Sequence, residues 1–132
     1  MKVALYLRMA HQNDDSVERM AEHERYLRTW AVEHGHEVVD VFRDFGPGTT
    51  LRRPGLQSLF DKMNAKCFEG VLTRDSGRLV SGMKLVLPLA ERFRKAGIKV
   101  IEPHWMDDAF ETYAQCLMAL EESLKQEARH DT

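Results

Sequence analysis

Only two cysteines occur in the 132 residues, Cys67 and Cys116, and neither sits in a CxxC pair or beside a histidine at a ligand spacing. That scarcity excludes a disulfide framework and a cysteine-built zinc site, and it fits thiols kept reduced inside a cell. An excess of one charge is lacking too, since 19 Lys and Arg stand against 21 Asp and Glu for a formal net charge of -2. Sequence-independent grip on nucleic-acid phosphates draws on a basic excess, so DNA binding by this domain alone is expected to be weak. Long apolar runs are missing as well. Val3 to Leu7 is too short for a signal-peptide core or a membrane span, so a soluble, cytoplasmic protein without membrane contact is expected. No repeat or low-complexity linker divides the chain. What is present, 43% hydrophobic and 30% charged residues, is the composition of one folded globular domain.

Lys2 to Leu7 reads as a buried strand that feeds a polar loop at His11 to Asp15. Asp15 with Glu18 forms a capping box, and Val17, Met20, Tyr26 or Leu27, Trp30 and Ala31 recur at helical spacing up to Gly35. This predicts a helix over about Ser16 to His34. A second strand is predicted over His36 to Arg43, with Asp44 at its edge before a mobile loop carrying Gly46, Pro47 and Gly48. Pro54 opens a short helix whose apolar face is Leu56, Leu59, Phe60 and Met63 and which ends near Ala65. Phe68 to Thr73 makes a third strand. The polar turn from Arg74 to Arg78 then lies at its carboxyl end, where open α/β sheets build sites.

A helix around Ser81 to Ala96 follows, kinked by Pro88 or starting near Leu85, and then a strand at Ile98 to Glu102. The last helix is predicted from an N-cap at Asp107 or Asp108 to about Arg129, with Phe110, Tyr113, Leu117, Leu120 and Leu124 in steps of three and four. The alternation of strands and helices predicts a three-layer α/β sandwich around a mostly parallel sheet of four to five strands. Residues of about 1–104 form its core, and the amphipathic helix of 107–129 ends the single domain.

Four segments add a resemblance. Tyr6-Leu7-Arg8-Met9-Ala10 resembles a Y-x-R-x-S opening; Asp44, a glycine-rich loop and Leu51-Arg52-Arg53-Pro54-Gly55-Leu56 resemble an aspartate, a mobile loop and an L-x-R-P-x-L helix start. Phe68 to Thr73 with Gly77-Arg78-Leu79 is similar to a strand and D-R-L-S-R turn, and Ala119-Leu120 with Glu122 to an A-L-x-E stretch. In this order they resemble the resolvase/invertase catalytic domain of serine site-specific recombinases over nearly the whole chain. The resemblance implies a fold of that type and chemistry in which a serine hydroxyl attacks a DNA phosphodiester while arginines hold the charge on phosphorus. It matches Arg8, Arg53 and Arg78 to phosphate-binding arginines, and Tyr6 and Asp44 to residues lining the site.

The departures point away from catalysis. Ala10 stands at the nucleophile position, Gly77 replaces the aspartate of D-R-L-S-R, and Ser81 replaces its second arginine. The family's loop serine falls near Pro47 and its first-helix glutamine on His23. No catalytic position is intact, so a catalytically inactive homologue related to site-specific DNA recombination is expected. The resemblance also implies a dimer helix carrying Phe110, Tyr113, Leu117, Leu120 and Leu124, and hence a homodimer or a heterodimer with a related recombinase. The family continues beyond this point into a DNA-binding region, and no reader of bases is evident here. Two alternatives stay open. Ser76, Ser81 or Cys67 could carry the rerouted nucleophile of an active strand-exchange enzyme, with Asp75 as a replacement carboxylate, or Arg8, Arg53 and Arg78 could contact phosphates in a non-cleaving accessory module. His34 and His36 flank a helix stop with no third ligand in register, so neither metal nor cofactor is expected.

Overall fold

The computed structural model describes residues 1–74, 78–79, 83–103 and 109–130, without the side chains of 83, 109 and 127–130. Its elements in chain order are β1 (Lys2–Met9), α1 (Asp14–Glu33), β2 (Glu37–Phe45), α2 (Pro54–Asn64) and β3 (Gly70–Leu72). A short 3-10 turn (Met83–Leu85) then leads into α3 (Val86–Ala96), β4 (Lys99–Ile101) and α4 (Ala109–His130).

β1 is buried from Val3 to Met9 because it runs through the middle of the sheet. A central parallel strand is covered on both faces, which is why its sequence is nearly continuous in apolar residues. The sheet has four strands in the order β2-β1-β3-β4, every pair parallel. The expected architecture is therefore observed, with four parallel strands among the described residues. Alternate residues of β1 divide the core. Val3, Leu5, Leu7 and Met9 meet Met20, Leu27 and Ala31 of α1 on one face. Ala4 and Tyr6 meet Leu56, Leu59 and Phe60 of α2 and Leu89 and Phe93 of α3 on the other. Each fully buried leucine among these, such as Leu27 or Leu89, stabilises by about 1.5–3 kcal/mol relative to exposure.

Several boundaries differ from expectation. α1 starts at Asp14, capped by Asn13, whose Oδ1 accepts from the Ser16 amide at 2.9 Å. Asp14 and Asp15 instead occupy the first turn, where carboxylates favour the positive end of the helix. The buried stripe of α1 is Met20, Leu27 and Ala31, while Val17 and Tyr26 face solvent. β2 runs on to Phe45, so Asp44 is a strand residue paired with Arg8. An irregularity in that pairing makes Val39 an extra residue on β2, between the partners of Val3 and Ala4. α3 begins at Val86 after Leu85, which puts Pro88 in the first turn, where a missing N–H costs no helical bond. The expected N-cap at Asp107 or Asp108 lies outside the described residues.

Candidate functional site

The carboxyl ends of β1 and β2 bring Tyr6, Arg8 and Asp44 together beneath the start of α2. Tyr6 Oη donates to Asp44 Oδ2 at 2.7 Å and accepts from Arg53 Nη1 at 2.8 Å. Asp44 Oδ1 accepts the Gly55 amide at 2.7 Å, and Oδ2 accepts the Leu56 amide at 2.8 Å. Arg53 holds the N-cap position of α2 without a side-chain cap bond. Asp44 thus caps α2 from a neighbouring strand, satisfying two orphan amides and setting a negative charge at the positive end of the helix. The approach is close enough to require glycine at position 55, since a Cβ there would lie 2.4 Å from the Arg43 carbonyl oxygen and 2.9 Å from Asp44 Oδ2. Burial above all, then the hydrogen bond to Asp44, holds the Tyr6 phenol protonated far above its ordinary range, against the opposing pull of the Arg53 and Arg8 charges.

Arg53 is enclosed, with 3% of its surface exposed. Its Nε donates to Thr50 O at 2.9 Å, Nη1 also reaches Arg78 O at 3.1 Å, and Nη2 donates to Leu79 O. Each guanidinium nitrogen of Arg53 therefore already donates within the chain, and the group stacks above the Tyr6 ring at 5.6 Å. Arg8 is also buried; its Nε donates to Arg78 O at 3.0 Å and its Nη1 to Gly46 O at 2.8 Å. Arg78 Nη1 returns a bond to Arg8 O at 3.4 Å. Of the three arginines expected to face a phosphate, Arg8 and Arg53 thus spend their donors tying the loop after β2 and the turn after β3 to the sheet.

Ala10 is the first residue past β1 and is exposed. At the carboxyl end of β1 opens a polar cleft of about 370 Å³ lined by Met9, Arg19, Glu22, His23, Arg74 and Arg78. A second cleft of about 210 Å³, lined by Glu22, His23, Tyr26 and Arg74, continues along α1. Arg74 Nη1 donates to His23 Nε2 and joins the end of β3 to this helix. Arg19 and Tyr26 were missed as site residues, although Arg19, Glu22, His23 and Tyr26 follow helical steps of three and four that place them on one side of α1.

Cys67 needs correcting as a replacement nucleophile: it precedes β3, so the parallel sheet puts it at the opposite end from Ala10. Asp75, Ser76, Gly77 and Ser81 lie outside the described residues. His34 and His36 stack on Trp30 with ring centroids 3.9 and 5.7 Å away. Among the described residues no three-ligand metal cluster occurs, and no helix is long and apolar enough to cross a membrane.

The residues expected on a dimer helix divide between two environments. Phe110 is buried in the chain's own core, edge-on to Phe93 at 6.3 Å, and Leu117 is half-buried. Ala114 is fully buried beside them, and Arg94 clamps Glu111 through Nε at 3.1 Å and Nη2 at 2.6 Å. Phe110 therefore anchors α4 to its own domain. Past that point Tyr113, Met118, Leu120 and Leu124 are 44 to 55% exposed.

The family model for the resolvase N-terminal domain matches residues 3–131. Among solved structures, the chain is similar to the N-terminal catalytic domain of TP901-1 integrase, with 28% identity and a TM-score of 0.76 over 94% of this chain and 98% of that one. It is also similar to the C-terminal catalytic domain of ISC1926 TnpA, an IS607-like serine recombinase, at 24% identity and a TM-score of 0.70 over 94% and 83% of the two chains. A resolvase family site-specific recombinase from Streptococcus pneumoniae shares 16% identity with a TM-score of 0.74 over 99% and 92%. The latter two likenesses bear on the fold alone. No curated protein sequence matches the chain. The match from residue 3 to 131 takes in the strands and helices described above apart from the first residue of β1, and the chain belongs to the resolvase N-terminal domain family of serine recombinases.

Proposed function

We propose that this resolvase-family domain does not cut DNA and acts through protein contacts, using the exposed side of α4 to pair with a second copy or with a related recombinase. The observation that carries the reading is Ala10. The resemblance assigns the nucleophile to this position, which stands exposed just past β1, and its methyl group has no lone pair with which to attack phosphorus. The inward engagement of Arg8 and Arg53 supports the same reading, because it draws guanidinium donors away from a transferring phosphate.

On this reading the residues up to about Phe110 form the body of the domain, and the exposed side of α4 from Tyr113 onward is the partner face. Tyr113, Leu120 and Leu124 are about half exposed, so each gains about 0.7–1.5 kcal/mol on full burial, which weighs against the freedom lost on association when both chains contribute. Regulation would follow from mixed pairs in which one subunit cannot form the covalent link to DNA.

Two measurements test the proposal. Incubation with supercoiled DNA followed by denaturing electrophoresis is expected to give neither nicks nor a protein–DNA adduct. A DNA-dependent adduct would overturn the reading, and its mapping to Ser76 or Ser81 would establish the rerouted enzyme instead. Sedimentation of the protein and of the Leu120→Glu, Leu124→Glu double variant, each alone and mixed with a related recombinase, is expected to show assembly that the variant loses with its circular dichroism unchanged. Absence of assembly in both settings, or assembly indifferent to both charges, would sink the partner role.

A further inference from the structure

We propose that a pocket at the root of α4 binds a small monocarboxylic acid, with Phe93, Ile98, Val100 and Phe110 against its apolar body and Arg94 and Lys99 at its carboxylate. The pocket has a volume of about 320 Å³ and is bounded by the end of α3, the first residues of β4 and the first turn of α4. It sits towards the amino end of β4, an edge strand, whereas Tyr6, Arg8 and Asp44 gather at the carboxyl ends of β1 and β2. None of its residues belongs to the four segments that carry the family resemblance or to the exposed apolar residues of α4. The inference therefore stands whether or not the domain pairs with a partner or cleaves DNA.

Wall and rim differ in chemistry. The four apolar side chains are at most 8% exposed, yet each borders the pocket, so an apolar chain entering it leaves water for a surface already packed by the core. At the rim, Arg94 donates to Glu111 Oε1 through both Nε and Nη2, and its Nη1 makes no hydrogen bond among the described residues. Lys99 is exposed, and its ammonium carries three donors. Arg94 and Lys99 against Glu111 leave a single net positive charge, the complement of one carboxylate, whereas a phosphate monoester would bring about two negative charges. The volume is near the lower end for small-molecule pockets, which suits a short chain rather than a membrane lipid.

Titration of the isotope-labelled full chain with octanoate, followed by amide chemical shifts, tests the inference, alongside hexanoate, acetate and octan-1-ol. Octanoate is expected to shift the amides of Phe93, Ile98, Val100 and Phe110 and to bind about tenfold more tightly than hexanoate, the scale of two buried methylenes. Acetate should move none of them. Octan-1-ol, which has the chain without the charge, should bind about tenfold more weakly than octanoate. Arg94→Gln is expected to weaken octanoate by about tenfold and to leave octan-1-ol unchanged, whereas Glu111→Gln should tighten octanoate by freeing Arg94. The Arg94 and Glu111 side chains are 45% and 37% exposed, so both variants should keep the parent circular dichroism. No shift at these amides, equal binding of octanoate and octan-1-ol, indifference to Arg94→Gln, or shifts confined to Tyr113, Leu120 and Leu124 would each overturn the proposal.

Discussion

Replacing Asp44 with alanine tests whether the best-matched part of the site holds the fold together. The Asp44 carboxylate is 4% exposed and accepts bonds from Tyr6 Oη, the Gly55 amide and the Leu56 amide. Alanine leaves the buried phenol without its acceptor and opens the N-terminus of α2. It also removes the carboxylate nearest to Arg53 in this network, so that guanidinium stays buried among carbonyl oxygens. Each orphaned buried group costs about 1–3 kcal/mol, and solvent reaching half-buried Gly55 recovers part of one. A total of about 4 kcal/mol follows, a large share of the roughly 5–15 kcal/mol that holds an ordinary domain folded.

With a urea dependence of about 2 kcal/mol per molar, the midpoint should fall by about 2 M, read by circular dichroism at 222 nm. Asp44→Asn restores one acceptor but turns an amide NH2 towards the helix amides, so it should lose about half as much. An Asp44→Ala midpoint within roughly 0.3 M of the parent would refute the capping role and return Asp44 to the list of residues kept for chemistry alone.

Gly55→Ala should destabilise by about 2 kcal/mol or more in the same assay, because its Cβ meets the Arg43 backbone oxygen at 2.4 Å and backbone cannot swing aside; an unchanged midpoint would show the helix start to be loose. The Tyr6 pKa is raised on folding, so its contribution is complete below the unfolded value of about 10 and is lost as pH rises towards the folded value. Tyr6→Phe should accordingly be less stable than the parent at neutral pH, with the gap narrowing above about pH 10, and a constant gap would count against the assignment. Arg94→Ala should cost no more than about 1 kcal/mol, since the Arg94–Glu111 pair is largely in solvent, with side chains 45% and 37% exposed; a loss like that of Asp44 would mean that the pair, rather than Phe110 and Ala114, anchors α4.

The fold was legible because its period signals are strong where burial is complete. β1 reads as an unbroken apolar run because both faces are covered, and α2 shows one apolar face because only one is. Helix starts were harder: Asp15 and Glu18 satisfy a capping pattern, yet the polar stretch before them offers several caps and Asn13 takes the role. Tyr6, Arg8, Asp44 and Arg53 could be picked out by resemblance, but the direction of their donors could not. Arg53 bonds carbonyls that lie 25 and 26 residues away, and no local pattern encodes such a contact. The misplacement of Cys67 had a different origin. Nearness in sequence to β3 stood in for nearness to its carboxyl end, whereas a strand separates the two.

The residues that match the family pattern and those that depart from it differ in what the fold asks of them. Tyr6, Asp44 and Arg53 are buried and interlocked, and Arg8 ties the loop after β2 to the sheet. Their presence is therefore explained by folding and carries no weight as a sign of surviving chemistry. Ala10 is exposed and lies past the end of β1, where a side chain has little to pack against. A hydroxyl could be lost there without a stability penalty, so Ala10→Ser should unfold within about 0.5 kcal/mol of the parent, as exposed substitutions away from packed features do. The same variant, assayed on supercoiled DNA, should form no adduct, because restoring one oxygen does not free the guanidinium donors of Arg53 from their carbonyls. Neutral stability with cleavage would show that Ala10 alone silences the site; neutral stability without cleavage would place the block in the inward-turned arginines and in the substituted turn at Gly77 and Ser81.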